Sequence, residues 1–194
     1  MQKTWQTTLD STTAILVPTR SLATSLHENL ARQRVALGQR VWEAPNILVW
    51  SDYLKQLWRL NRRQLGRQSE AITLISPQQS ALIWTQVIEA SRREERSLTL
   101  LNVQQTAKAV QRSWRLMHDW LIAPQTLSLD HVADTTQFLA WIEDYRRRLN
   151  QRGLIDEPML LAALHKIEFK PVFSRLIWES YDLITDVQKQ HIDL

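Results

Sequence analysis

The stretch AILVPTRSLATSLHENLARQR, Ala14 to Arg34, decides the fold. Four apolar residues, Ala14 to Val17, form a strand, and Pro18 stops it because proline cannot donate to a ladder. Leu22, Leu26 and Leu30 then recur at spacing four, one face of a helix from about Arg20 to Ala36. Gly38 is the expected C-terminal stop. A strand that turns at once into a helix is the unit of parallel α/β sheets, and ligands and phosphates sit at such junctions. The usual phosphate loop carries glycines and a lysine. This junction, Pro18-Thr19-Arg20-Ser21, has neither.

The same arrangement follows in RVWEAPNILVWSDYLKQLWRLNRRQL. Val41 and Trp42 suggest a short extended piece, and Ile47 to Trp50 a second strand. Ser51 and Asp52 can cap a helix carrying Leu54, Leu57, Trp58 and Leu65. Proline at the first position opens a helix at Ser76-Pro77, with Ala81, Trp84 and Ile88 on one face. From about Asn102 the apolar residues Val103, Ala107, Val110, Trp114, Met117 and Leu121 alternate at four and three, a buried stripe. Asp134 is expected to cap a helix with Phe138, Trp141, Ile142, Tyr145 and Leu149 inward, ending at Gly153. Asp156 is expected to cap another with Leu160, Ala163, Leu164 and Ile167. Leu176 to Trp178 read as a last short strand, followed by a helix from about Thr185.

The expected class is therefore α/β and predominantly helical. Residues 1–75 and 169–194 form a parallel-sheet portion, and residues 76–168 an all-helical insertion. The chain ends inside its last expected helix, which suggests the front piece of a longer protein.

Composition narrows the function. The 194 residues are 44% hydrophobic and 23% charged, enough for a sizeable core. There are no cysteines, which excludes disulfides, thiol catalysis and zinc fingers. No apolar run approaches the roughly 20 residues of a membrane span, and the polar start MQKTWQTTLDSTT is no signal peptide. A cytoplasmic protein with no membrane association is expected. With 3 glycines in the chain, no glycine-rich phosphate loop is available. Net charge is +4, and arginine dominates the 24 basic residues. Its fork binds phosphate bidentately where lysine acts as a point charge. The 9 tryptophans fall mostly at helical spacing among leucines, as core residues do.

Catalytic constellations are missing. There is no nucleophile elbow, and His27, His118, His131, His165 and His191 are scattered. Glu179 and Asp182 follow a strand, where a magnesium-binding carboxylate sits in nucleotide-hydrolysing domains, but without a phosphate loop they have no nucleotide to serve, and turn and cap roles suit them better. The basic runs Arg146-Arg147-Arg148 with Arg152, and Arg62-Arg63 with Arg67, read as solvated faces. The first junction is the better site candidate. A helix N-terminus attracts anions, Thr19 and Ser21 add hydroxyls, and Arg20 adds a fork. Trp50 and Ser51 at the second junction would add an aromatic face and a hydroxyl, a combination that holds single strands without reading sequence. In the competing reading Ser21 and Ser51 are helix caps and Trp50 is core, and it stays open beside the first.

ILVPTRSLATSLHENL resembles motif Ia of superfamily-1 helicases, a strand ending in a Thr-containing loop before a helix. NILVWSDYLKQLW is similar to the next element of AddB-type helicase-nuclease subunits, and SPQQSALIWTQVI to the start of their helical insertion. RLIWESYDLITDVQKQHIDL resembles their degenerate Walker B region. The motifs run in that order over essentially the whole chain. The resemblance is to AddB-like probable DNA repair proteins, with an inactivated helicase region and a PD-(D/E)XK nuclease domain at the far C-terminus. It implies a P-loop-helicase-like sheet with a helical insertion and a non-catalytic region of a repair nuclease. It implies single-stranded DNA and a helicase subunit as partners. By it, Thr19, Arg20, Ser21, Trp50 and Ser51 match positions that contact the strand backbone. The phosphate loop is absent and the Walker B pair reads Glu179-Ser180. No cofactor and no ATPase activity are therefore expected, and the nuclease motif would lie beyond residue 194. Two other readings stand beside it: a helical module that docks a partner subunit, and a nucleotide hydrolase using Glu179 and Asp182.

Overall fold

The computed structural model describes residues 10–62, 72–94, 102–127, 133–167 and 169–192. In chain order, β1 (Thr13–Val17) leads through α1 (Arg20–Ala36) to β2 (Asn46–Val49) and α2 (Trp50–Asn61). Then come β3 (Thr73–Leu74), α3 (Pro77–Glu94), α4 (Val103–Asp119), α5 (Pro124–Leu127) and α6 (Ala133–Gln151). β4 (Leu154–Ile155), a 3-10 turn at Glu157–Met159, α7 (Leu160–His165), β5 (Arg175–Trp178) and α8 (Asp186–Ile192) complete it. The protein is α/β and mostly helical, with a small parallel sheet. It divides into two units, residues 1–64 with 164–183, and residues 65–163 with 184–194.

The first unit is built on a three-stranded parallel sheet of order β2-β1-β5. Ile15 pairs with Ile47 on one side and Ile177 on the other. Parallel neighbours need a crossover, and α1 supplies the one between β1 and β2. All five residues of β1 are buried, the mark of a central strand closed on both faces. Ile15 and Val17 pack with Leu26 and Leu30 of α1 and Ile47 of β2, so the spacing-four leucines face the sheet. α1 ends in a Schellman motif: Gln39 N–H donates to the Arg34 carbonyl and Gly38 N–H to that of Val35. Gly38 takes φ +78 there, which suits a residue without Cβ. Asn61, buried at the end of α2, donates from Nδ2 to the Lys170 carbonyl and accepts from the Lys170 amide, at 3.0 and 2.7 Å. That pair of hydrogen bonds ties the approach to β5 against α2.

The second unit has a helical core. Trp84, Val87 and Ile88 of α3 meet Val110, Trp114 and Met117 of α4, with Trp141, Ile142, Tyr145 and Leu149 of α6. Trp84 lies flat on Tyr145, ring centroids 3.8 Å apart and 7° from parallel. Ser76 and Gln79 form a capping box at the start of α3, each side chain accepting from the other's backbone N–H.

Several expectations need correction. Residues 41–45 form no strand. β2 stops at Val49, and Trp50 is the first residue of α2. The insertion is not all helical: β3 and β4 pair in parallel, Thr73 with Leu154 and Leu74 with Ile155. Leu121 is not the last position of the α4 stripe. It takes φ +51 and is 51% exposed. Ile122 N–H donates to the Met117 carbonyl and Leu121 N–H to that of His118, so a leucine fills the left-handed end position usually given to glycine. α8 packs against α4, within the helical unit. Leu65, the His131 position and the Arg63 and Arg67 positions lie outside the described residues.

Candidate nucleic-acid interface

Three junctions meet at the C-terminal edge of the sheet, all within the first unit. β1 ends at Val17, β2 at Val49 and β5 at Trp178, and the register aligns those ends. Parallel sheets collect ligands at this edge because every helix that follows a strand starts there.

At the first junction Thr19 is the N-cap of α1. Its backbone is extended (φ −136, ψ 150) and its Oγ1 accepts from Leu22 N–H at 3.2 Å. Arg20 and Ser21, in the first turn, are both exposed. The Arg20 side chain is 74% exposed, yet its Nη2 donates to both Asp52 carboxylate oxygens, at 2.9 and 3.1 Å. Lys55 Nζ lies 3.9 Å from the same carboxylate.

At the second junction the side-chain cap expected of Ser51 and Asp52 does not form. Val49 is the N-cap and has no acceptor, which places Ser51 and Asp52 inside the first turn. Asp52 still suits the positive end of the helix dipole, and its carboxylate holds Arg20. Ser51 is half-buried. Trp50 is half-buried within an aromatic group, its ring 5.6 Å from those of Tyr53 and Trp178. Tyr53 continues to Phe173 at 6.3 Å, and burial pushes its hydroxyl pKa up to about 12.

The third junction, at β5, carries groups that the sequence reading assigned no nucleic-acid role. Tyr181 stands edge-on to Trp178 at 5.1 Å and donates from Oη to the Val17 carbonyl at 3.0 Å. It thereby ties the β5 exit to the β1 exit. Burial holds its pKa near 12 as well, so it stays a neutral donor. Glu179 is 8% exposed and accepts from the Ser180 hydroxyl at 2.7 Å. Ser180 takes φ +59, and Asp182 is exposed.

The five sequence candidates thus share one edge, but not in one role. Arg20 and Ser21 face solvent, Thr19 spends an acceptor on its helix, and Trp50 is embedded among rings. The Trp50–Trp178 contact links two junctions, and no spacing rule predicts it. An aromatic at the end of each of two apolar strands was the only available signal.

The second unit holds a buried polar group that the sequence also left unmarked. Asp156 is 2% exposed. Its Oδ2 accepts from Trp114 Nε1 at 2.9 Å and from Tyr145 Oη at 2.8 Å. Ser80 Oγ lies 2.8 Å from the same Tyr145 oxygen and takes a bond from Gln111 Nε2 at 3.0 Å. Burial raises the Asp156 pKa above the ordinary carboxylate value, against the pull of the Tyr145 and Trp114 hydrogen bonds. His118 stands edge-on to Trp114 at 4.2 Å. Burial and then the Arg146 charge lower its pKa from 6.5 to about 4.

Among the described residues no group of three His, Asp or Glu side chains gathers as a metal site, and no helix is long and apolar enough to cross a membrane. No protein-family model matches the chain, and no curated protein matches its sequence.

Proposed function

We propose that the first unit binds the backbone of single-stranded DNA at the C-terminal edge of its sheet, without catalysing a reaction. The observation that carries this reading is Arg20. Its guanidinium is 74% exposed in the first turn of a 17-residue helix, at the edge where a parallel sheet receives anions. Ser21 adds an exposed hydroxyl, and Ser51 and Trp50 open the neighbouring helix. Asp52 holds Arg20 in place while no phosphate is present. A phosphodiester would exchange one anionic partner for another, and the Thr19 cap keeps the helix end intact as it does so. The sequence resemblance to AddB-like proteins supports this reading, with the activity belonging to an inactivated helicase region of a DNA repair nuclease.

The test is fluorescence anisotropy of a labelled dT20 strand at low and moderate salt, with a duplex control. Salt-sensitive binding with preference for the single strand is expected, because phosphate contacts release counterions. Arg20→Ala with Ser51→Ala should weaken it at least tenfold. Unchanged affinity in that double variant would refute the site. A titration with magnesium-ATP addresses the hydrolase reading of Glu179 and Asp182, and no binding is expected.

A second reading has its own support. On α4, Leu116 is 49% exposed and lies off the buried stripe. Apolar surface outside the core face favours a helical unit that docks a partner protein.

A further inference from the structure

α6 carries two stripes. Phe138, Trp141, Tyr145 and Leu149 join the core. Leu139, Glu143, Arg146 and Asn150 recur at four, three and four, and line an open groove of about 680 Å³ whose other wall begins at Pro124. The eleven helical steps from Leu139 to Asn150 rise about 16 Å, so the groove spans three turns. Its floor is apolar: Ile142 is 2% exposed and Leu139 half-buried. Just before Pro124 in sequence, Leu121 and Ile122 are 51% and 37% exposed.

The charges on the rim decide what fits. Asp144 takes up Arg147 and Arg148. Arg146 is exposed and has no ion pair among the described residues, and its neighbour on the rim is Glu143. A nucleic-acid backbone would meet one uncommitted guanidinium, an adverse carboxylate, and a floor that gives phosphate nothing. A peptide with side chains of two kinds matches every part. Apolar residues fill the floor, a carboxylate meets Arg146, and a polar or basic group answers Glu143. This is how amphipathic segments lie in helix-lined grooves.

We infer that the groove along α6 docks an amphipathic protein segment with about three apolar anchors and an acidic residue set against Arg146. The inference rests on the docking reading and gives it a place and a partner chemistry. Opposite charges at such a rim set register and specificity, and the apolar anchors supply most of the affinity.

A library of displayed 16-residue peptides panned on the intact 194-residue chain tests it. Enriched peptides should be amphipathic and acidic. Arg146→Glu should weaken them at least tenfold and Arg146→Lys less than threefold, with circular dichroism confirming that both variants fold. Excess dT20 should not displace them. Enriched peptides without acidic residues, affinity indifferent to Arg146→Glu, or displacement by dT20 would each overturn the groove. Peptides sensitive to Leu116→Gln but not to Arg146→Glu would overturn the groove and leave the docking reading standing. If nothing is enriched, both fall.

Discussion

His118 should make the helical unit acid-sensitive. It lies in the last turn of α4, edge-on to Trp114, and feels the charge of Arg146 from α6. Burial is the larger cause of its lowered pKa and the arginine the smaller. The folded protein therefore keeps a neutral imidazole down to about pH 4, whereas the unfolded chain protonates near 6.5. Above 6.5 neither state binds the proton and stability is complete. As pH falls, only the unfolded chain gains the proton, so the folded state loses ground until pH 4. At 1.36 kcal/mol per pH unit, the interval from 6.5 to about 4 sets a limit of about 3 kcal/mol. At pH 5 the same relation gives about 2 kcal/mol.

Urea unfolding followed by tryptophan fluorescence reads this out, since Trp84, Trp114 and Trp141 all lie in that core. His118→Gln removes the titration. The wild type should lose about 2 kcal/mol more than the variant between pH 7.5 and pH 5. Taking the difference between the two proteins cancels Asp156, which works in the opposite direction. Proton NMR of the His118 ring should show a midpoint near 4, and Arg146→Ala should move it upward. A midpoint at or above 6.5, or equal acid losses in the two proteins, would refute the argument.

Asp52→Asn should release Arg20 for a phosphate and raise dT20 affinity up to about fivefold, since exposed pairs contribute about 0.2–1 kcal/mol. Unchanged anisotropy binding would show that Arg20 takes no part. Asp156→Ala leaves Trp114 Nε1 without its acceptor and should cost about 1–3 kcal/mol in urea unfolding, while Asp156→Asn keeps an acceptor and should cost less. Because burial raises the folded-state pKa of Asp156, the wild type should gain stability from this group as pH falls through that value. Asp156→Asn should abolish the gain; an equal gain in that variant would place the titration elsewhere.

The parts of the fold that depend on one element alone were legible. α1 runs from Arg20 to Ala36 because its leucine spacing and its glycine stop are both local, although its cap is Thr19 and not Ser21. The α4 stripe from Ala107 to Met117 follows from period alone. What escaped depends on residues far apart in the chain. β3 and β4 are two residues each, and their pairing joins positions 73 and 154. The α2 cap lies two residues before the expected Ser51 because Val49, a residue without a capping side chain, takes the extended conformation (φ −80, ψ 154) that ends the strand. Asp156 does hold the N-cap backbone conformation expected of it, yet no side-chain cap bond forms. Its carboxylate turns inward to Trp114 and Tyr145 instead. A capping aspartate and a buried acceptor look the same in sequence.

That distinction bears on the candidate site as well. The sequence assigned Arg20 to a phosphate and Asp52 to a helix cap as separate duties. In the fold they are one pair, because the strands that end beside them are neighbours in register. An arginine already held by a carboxylate is preorganised: its rotamer is chosen before a ligand arrives, which spares part of the ordering cost of binding. The same contact competes with the ligand. Asp52 thus both aims Arg20 and limits its affinity, and Asp52→Asn separates the two effects. If aiming dominates, the variant binds less tightly; if competition dominates, more tightly. The exposure of both side chains, 74% and 36%, favours competition. A pair open to water is held weakly, and it yields to a phosphate whose neighbours along the strand bring charge of their own.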